Sequence, residues 1–406
     1  MDTTSGKPVK WNALMRRSSI EEKQNSRKPL PNTNSPKLKT FKNALHGNIS
    51  FHASARRRSR AAGVVSSFRC EGSPYSLSPF HSLLLSNSSQ KNPLCWCDMA
   101  DIVVFGSIVQ DLISYANRFP RPGESIRGKS FEAGCGGKGA NQAAQVGRLG
   151  GKVIMIGRVG NDIFGPLNIE NLNKSGVITD FIERSDTAGT ATATVTVTDD
   201  GENSIVVALG ANMEIPPSRA DQLESVISRA KLVLCQYEID HSTLKRTFEI
   251  AKKHNVRTFF NFAPGTSDFD KSLLKLVDIL STNENEAEFL TGARLTCVED
   301  AVRAAKSMLR FGPSIAVTTL GAKGVVVVTK AGTATHIPVP RVKAVDTTGA
   351  GDSFCGSLAY LLVARPNLPI EEQVRRASLI ASVSVQRKGT QVSFPWAHEL
   401  PEDFLN

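Results

Sequence analysis

The 406-residue sequence predicts an α/β fold: a mainly parallel sheet flanked by helices on both faces, with a small β-sheet lid projecting from it. Three observations predict this class. From about residue 218, strand-type and helix-type segments alternate regularly, as in parallel strands joined by helical crossovers. Between 190 and 209, apolar residues instead alternate with threonines ahead of Asp199-Asp200-Gly201-Glu202, and an apolar run follows, which reads as an antiparallel hairpin. Near the C-terminus, Gly349-Ala350-Gly351 runs straight into a segment with helical apolar spacing (Phe354, Leu358, Leu361, Leu362).

The N-terminal quarter is a different material. Residues 1–97 hold 16 Lys+Arg and 4 Asp+Glu, whereas the rest of the chain holds 33 and 34. The whole-chain net charge of +11 therefore belongs to the leader and gives no reason to expect a nucleic-acid partner. Residues 1–98 are rich in Ser, Asn, Lys and Arg and lack sustained periodicity, so they read as a disordered basic leader. The Arg56-Arg57-Arg58-Ser59-Arg60 cluster and its serine-rich, acid-poor surroundings suit an organelle transit peptide, with chloroplast (plastid stroma) favoured. Translation from Met99 would instead leave a cytoplasmic protein. No run of about 18 apolar residues exists, so no membrane partner is expected. The seven cysteines are scattered; Cys95 and Cys97 alone lie close, at a spacing unlike a metal or redox pair.

The body, 99–406, opens with a buried-type strand at Ile102–Gly106. A loop carrying Asp111 and Pro120-Arg121-Pro122-Gly123 follows. Gly136-Gly137-Lys138-Gly139-Ala140-Asn141-Gln142 then leads into a helix with Ala143, Ala144, Val146 and Leu149 apolar and Gly150 as its stop. Val153–Val159 reads as the next strand. Lid strands are expected around 106–135 and 189–209. Further strands fit Leu232–Cys235, Thr258–Phe262, Asp278–Ser281 and Ile315–Thr319, and helices fit Ser218–Arg229, Ser242–His254, Glu284–Leu290 and Val298–Arg310. Ligands of such sheets sit beyond the carboxyl ends of the strands, where Glu238, Asn283, Glu286 and Thr319 recur.

The Gly349–Asp352 turn carries the clearest chemistry. Small residues let backbone approach a ligand, and the first N–H groups of a helix, with its dipole, favour a phosphate. A carboxylate there would repel phosphate, which makes Asp352 odd as part of a cradle. It makes sense as a base that takes a proton from an attacking hydroxyl. An isolated G-A-G-D is equally compatible with a glycine turn and an N-capping Asp; the second glycine-rich motif upstream tips the balance.

Gly136–Gln142 and Asp346-Thr347-Thr348-Gly349-Ala350-Gly351-Asp352 together resemble the two signatures of the PfkB-type carbohydrate kinases. Their wording, with Asp199–Asn203 and Gly210-Ala211-Asn212 between them, is most similar to the ribokinase branch, and the resemblance spans Ile102 to Leu405. It implies a ribokinase-like fold with the sugar between main domain and lid, and ATP-dependent phosphorylation of D-ribose at O5. Asp352 would be the catalytic base, and Gly349, Ala350 and Gly351 the anion hole. Asp111, Gly137, Lys138, Gly139, Asn141 and Glu238 would line the sugar site, with the glycines allowing close approach. Asn283, Thr319, Gly321, Gly324, Gly351 and Ser378 would bind nucleotide. Glu286 would serve Mg²⁺, and Asp346, Thr348, Ser384, Arg387, Gly389 and Ser393 would surround K⁺. A homodimer through the lid is likewise implied, since an open sheet edge tends to find cover.

One position departs from the bacterial pattern: Val109 stands where an Asn precedes the first sugar-binding Asp, which affects discrimination among sugars. Fructokinase or adenosine-type kinase activity is the near alternative, and a non-catalytic kinase-like scaffold the distant one. The intact Gly349–Asp352 turn argues against the scaffold.

Overall fold

The computed structural model describes residues 100–406, so the leader readings fall outside the described residues. Thirteen strands are present there: β1 (Ile102–Phe105), β2 (Val109–Tyr115), β3 (Ser130–Gly136), β4 (Val153–Gly160), β5 (Val177–Ser185), β6 (Ala191–Val197), β7 (Asn203–Ala208), β8 (Leu232–Gln236), β9 (Arg257–Asn261), β10 (Ile279–Asn283), β11 (Ile315–Thr319), β12 (Val325–Thr329) and β13 (Ala334–Ile337). The helices are α1 (Lys138–Arg148), α2 (Phe164–Lys174), α3 (Pro217–Gln222), α4 (Glu224–Ile227), α5 (His241–Lys253), α6 (Glu284–Thr291), α7 (Val298–Met308), α8 (Ala350–Ala364) and α9 (Ile370–Ser384).

Nine strands form one sheet in the order β13-β12-β11-β10-β9-β8-β1-β4-β5. It is parallel from β5 to β11, and β12 and β13 add an antiparallel edge. Strand β1 shows why both faces need helices. All four of its side chains are buried. Val103 and Phe105 join one core, with Leu244 and Phe248 of α5 and Ala301 and Ala305 of α7. Ile102 and Val104 join the other, with Ala140 and Ala144 of α1 and Phe354 and Leu358 of α8. Successive residues point to opposite faces, so a continuous apolar run must be covered twice.

The lid is a separate four-stranded sheet, β3-β2-β6-β7. Strands β6 and β7 form the expected antiparallel hairpin. The stretch read as a loop around Asp111 is instead β2, the strand that joins the lid together: antiparallel to β3 and parallel to β6. Cross-strand pairing along its full length overrides the weak β signal of Val-Gln-Asp-Leu-Ile-Ser-Tyr. Val109 starts this strand and packs in a small cluster with Ala191 and Ala193. The segment expected as one helix, Ser218–Arg229, is broken at Leu223 into α3 and α4.

Candidate active site

The carboxyl ends of β1, β8, β9, β10 and β11 converge beside the N-termini of α1 and α8. Helix α8 starts after Gly349, whose φ of 75° lies in the left-handed region that suits glycine. A Cβ on Gly349 would stand 2.7 Å from Thr390 Cγ2, whereas a Cβ on Gly351 would meet nothing within 4 Å. The turn is thus closed on the Gly349 side and open at Gly351, while the Ala350 N–H donates to the Thr347 carbonyl at 3.2 Å.

Asp352 is only 8% exposed and does not cap its helix, so the capping reading fails. Its oxygens are held by two amides of α1: Asn141 Nδ2 donates to Oδ2 at 2.8 Å and Gln142 Nε2 donates to Oδ1 at 2.8 Å. Around it stand other charges. Glu238 accepts from the Lys138 backbone N–H at 3.0 Å and from the Ser107 hydroxyl, and the Lys138 ammonium lies 4.0 Å from it. Burial draws the Lys138 pKa down, but the charges of Asp352, Glu238 and Glu286 outweigh it and hold the group above the usual lysine value. Asp111 is pushed up to about 6, chiefly by burial and then by Glu238 and Asp352. Burial likewise pushes Glu286 up to about 7. Four carboxylates, Asp111, Glu238, Glu286 and Asp352, thus interact with one ammonium.

The glycines of the upstream motif have a packing task. A Cβ on Gly137, whose φ is 88°, would stand 2.7 Å from Val109 N, and one on Gly139 would stand 2.6 Å from Ser107 N. Both glycines let the start of α1 press against backbone 107–109, and the Ala140 N–H donates to the Ser107 carbonyl at 2.8 Å. Gly136 similarly makes room for the Asp111 carboxyl.

On the other side, Asn283 and Glu286 form a reciprocal capping box on α6: Glu286 N–H donates to Asn283 Oδ1 at 2.8 Å and Asn283 N–H to Glu286 Oε2 at 2.7 Å. The N-x-x-E spacing therefore has a structural task in addition to any ligand task. Thr319 ends β11, next to Asn283 in register. Gly321 and Gly324 follow with φ of 55° and 99°, Gly321 open and Gly324 against the Ile337 carbonyl. The Ser378 hydroxyl donates to the Val374 carbonyl of its own helix α9.

The residues expected around K⁺ are brought together in part. The Asp346 carboxylate accepts from the Thr348 and Gly389 N–H groups, each at 2.9 Å, and so ties the turn before α8 to the loop after α9. Ser384 and Ser393 hydroxyls donate to the nearby Ala381 and Thr390 carbonyls, and Arg387 pairs with Glu399. Sequence reasoning missed the buried amides Gln236 and Asn261, which end β8 and β9 and bond Gln142. A glutamine closing the apolar run Leu-Val-Leu-Cys-Gln was the available signal.

Comparison with known proteins identifies the family. Residues 99–397 match the pfkB family carbohydrate kinase model. The chain is 44% identical to mouse ribokinase over 305 residues, covering 75% of this chain and 94% of that protein. It is 36% identical to deoxyribokinase of Salmonella typhi over 302 residues, covering 74% and 98%. The structure of Arabidopsis thaliana ribokinase complexed with ribose and ATP superposes with a TM-score of 0.70 at 33% identity, covering 74% of this chain and 97% of that one. The chain belongs to the pfkB family of carbohydrate kinases.

Proposed function

We propose that this chain phosphorylates D-ribose at O5 with ATP, giving D-ribose 5-phosphate, and that Asp352 is the base. The observation that carries the reading is Asp352 itself: a buried carboxylate, clamped by two amides, in the first turn of a helix whose Gly351 backbone is open. Asp111 and Glu238 accept hydrogen bonds from sugar hydroxyls, and Lys138 keeps the cluster of carboxylates from repelling the phosphates. Phosphoryl transfer needs chiefly positioning and charge stabilisation. Asp352 orients the attacking hydroxyl and takes its proton, while the N–H groups of Gly349, Ala350 and Gly351 receive charge on the group in transit. The ribokinase relatives and the ribose- and ATP-bound neighbour support this substrate pair. Acceptance of a 2-deoxypentose is the second reading, favoured by the Salmonella relative and by Val109 packing in the lid root where a polar contact would otherwise stand.

Among the described residues no three His, Cys, Asp or Glu side chains cluster to hold a metal. Mg²⁺ would be carried largely by phosphates and water, with the buried Glu286 as the nearby carboxylate. The ion would neutralise phosphate charge. For K⁺, the Asp346–Thr348 turn and the Gly389 loop, with Ser384, Arg387 and Ser393 beside them, would hold the ion and order the turn before α8. We also infer a homodimer through the lid, and delivery of the protein to the chloroplast by the basic leader, which precedes the family match.

The test is ADP release by the full chain on ribose, 2-deoxyribose, fructose and adenosine, with and without K⁺. Fastest turnover on ribose supports the reading, and preference for 2-deoxyribose moves it to the second. No turnover on any acceptor overturns both. Asp352→Asn is expected to lower kcat by about 10²- to 10⁴-fold in enzyme that circular dichroism shows to be folded.

A further inference from the structure

Asp352 is gripped from two directions that differ in kind. Asn141 is itself held by Gln391 of the C-terminal loop, whose Nε2 donates to Asn141 Oδ1 at 2.9 Å. Gln142 points the other way, into the sheet, and is fully buried. Its Oε1 accepts from Gln236 Nε2 at 2.7 Å, and its Nε2 donates to Asn261 Oδ1 at 2.9 Å and to Asp352 Oδ1 at 2.8 Å. The Asp352 carboxylate accepts, so the Gln142 amide turns its N–H towards it and its oxygen towards Gln236. Gln236 in turn lies over Gly106: a Cβ there would stand 2.1 Å from Gln236 Oε1. A chain of contacts thus runs from the end of β1 through β8 and α1 to the carboxylate.

We propose that Gln142 is the positioning residue for Asp352, fixing the carboxylate from the protein core by a hydrogen bond that does not depend on the substrate. The proposal rests on the kinase reading of the site. Asn141 belongs to the residues expected to meet sugar hydroxyls, so its amide is subject to competition when sugar binds. Gln142 has no exposed surface to offer a ligand, and its three partners all belong to the protein. It keeps one carboxylate oxygen in place; the other accepts from Asn141 and has a second lone pair to offer the attacking hydroxyl. Misplacing a reacting group by an ångström is enough to cost about 100-fold in rate, and loss of a supporting hydrogen bond about 10- to 100-fold.

The experiment compares the full-length wild type with Gln142→Met by steady-state kinetics and thermal melting. The expected result is a kcat lowered about 10- to 100-fold, with KM for sugar and for ATP within about twofold of wild type. A merely structural role would lower the melting temperature and the active fraction without that split between kcat and KM. Unchanged kcat, or a KM that rises as kcat falls, overturns the proposal. If Gln142→Met does not fold, Gln142→Ala is read the same way, because it removes the amide donor without setting a second carboxyl against Asp352. Wild-type inactivity on ribose alone tells against the substrate assignment instead; the same comparison on the sugar that is turned over then tests positioning separately.

Discussion

Single residues here are defined by what surrounds them more than by what they are. Asp111, Glu238 and Asp352 are ordinary acids in the sequence, yet burial and mutual repulsion push Asp111 up to about 6. An acid whose folded pKa lies above its unfolded value stabilises the fold at low pH. That contribution is whole below about 4 and is lost as pH rises through about 6. Asp111→Asn should remove this loss, so the variant's stability relative to wild type should grow between pH 4 and 6. Allowing for the partial exposure of Asp111, the gain is about 1–2 kcal/mol. Urea midpoints at the two pH values measure it; a constant difference would contradict it. The same variant should raise the sugar KM about tenfold or more, since it loses a charged acceptor.

At the scale of elements, the glycines separate into two tasks that the sequence writes identically. Gly139 presses α1 against β1, with Ser107 N 2.6 Å from any added Cβ. Gly351 faces open space at the first turn of α8. Gly139→Ala should therefore cost about 1–3 kcal/mol by overpacking, seen as a lower melting temperature. Gly351→Ala should leave the melting temperature at or slightly above that of wild type, because alanine favours the helix. Its kcat should nevertheless fall, because the methyl group occupies the space in which phosphate would approach the backbone. A Gly351→Ala enzyme with full activity would remove that turn from the anion hole.

At the scale of the molecule, the lid presents apolar surface without cover in the single chain. On edge strand β7, Ile205, Val206 and Val207 are 54%, 69% and 46% exposed, and Phe131 on the opposite edge strand β3 is 61% exposed. A free edge with apolar side chains invites pairing. Sedimentation should find a dimer for the wild type and a monomer for Val206→Asp. A wild-type monomer at tens of micromolar would place the dimer outside this protein's behaviour. A salt bridge between Lys388 and Glu132, with the ammonium over the Tyr115 ring, links the lid to the loop after α9. Exposed as it is, it adds little stability.

By itself the sequence determined the class of fold, the hairpin of the lid and both glycine-rich motifs. Each of these is local: apolar periodicity, turn residues and small residues ahead of a helix act over a few neighbours, and their physics is readable there. Asp352 was legible for the same reason, as a carboxylate misplaced for a simple phosphate cradle. Only the tertiary structure decided the rest. Residues 109–115 became a strand because β3 and β6 pair with them on both sides. Gly137 and Gly139 proved to make room for backbone because the segment joining β1 to β2 crosses them. The amides of Gln236 and Asn261 meet Gln142, and Gln142 meets Asp352, from segments separated by some 100 to 200 residues. Buried polar groups must find partners wherever the chain brings them, and that matching depends on distances that local pattern does not contain.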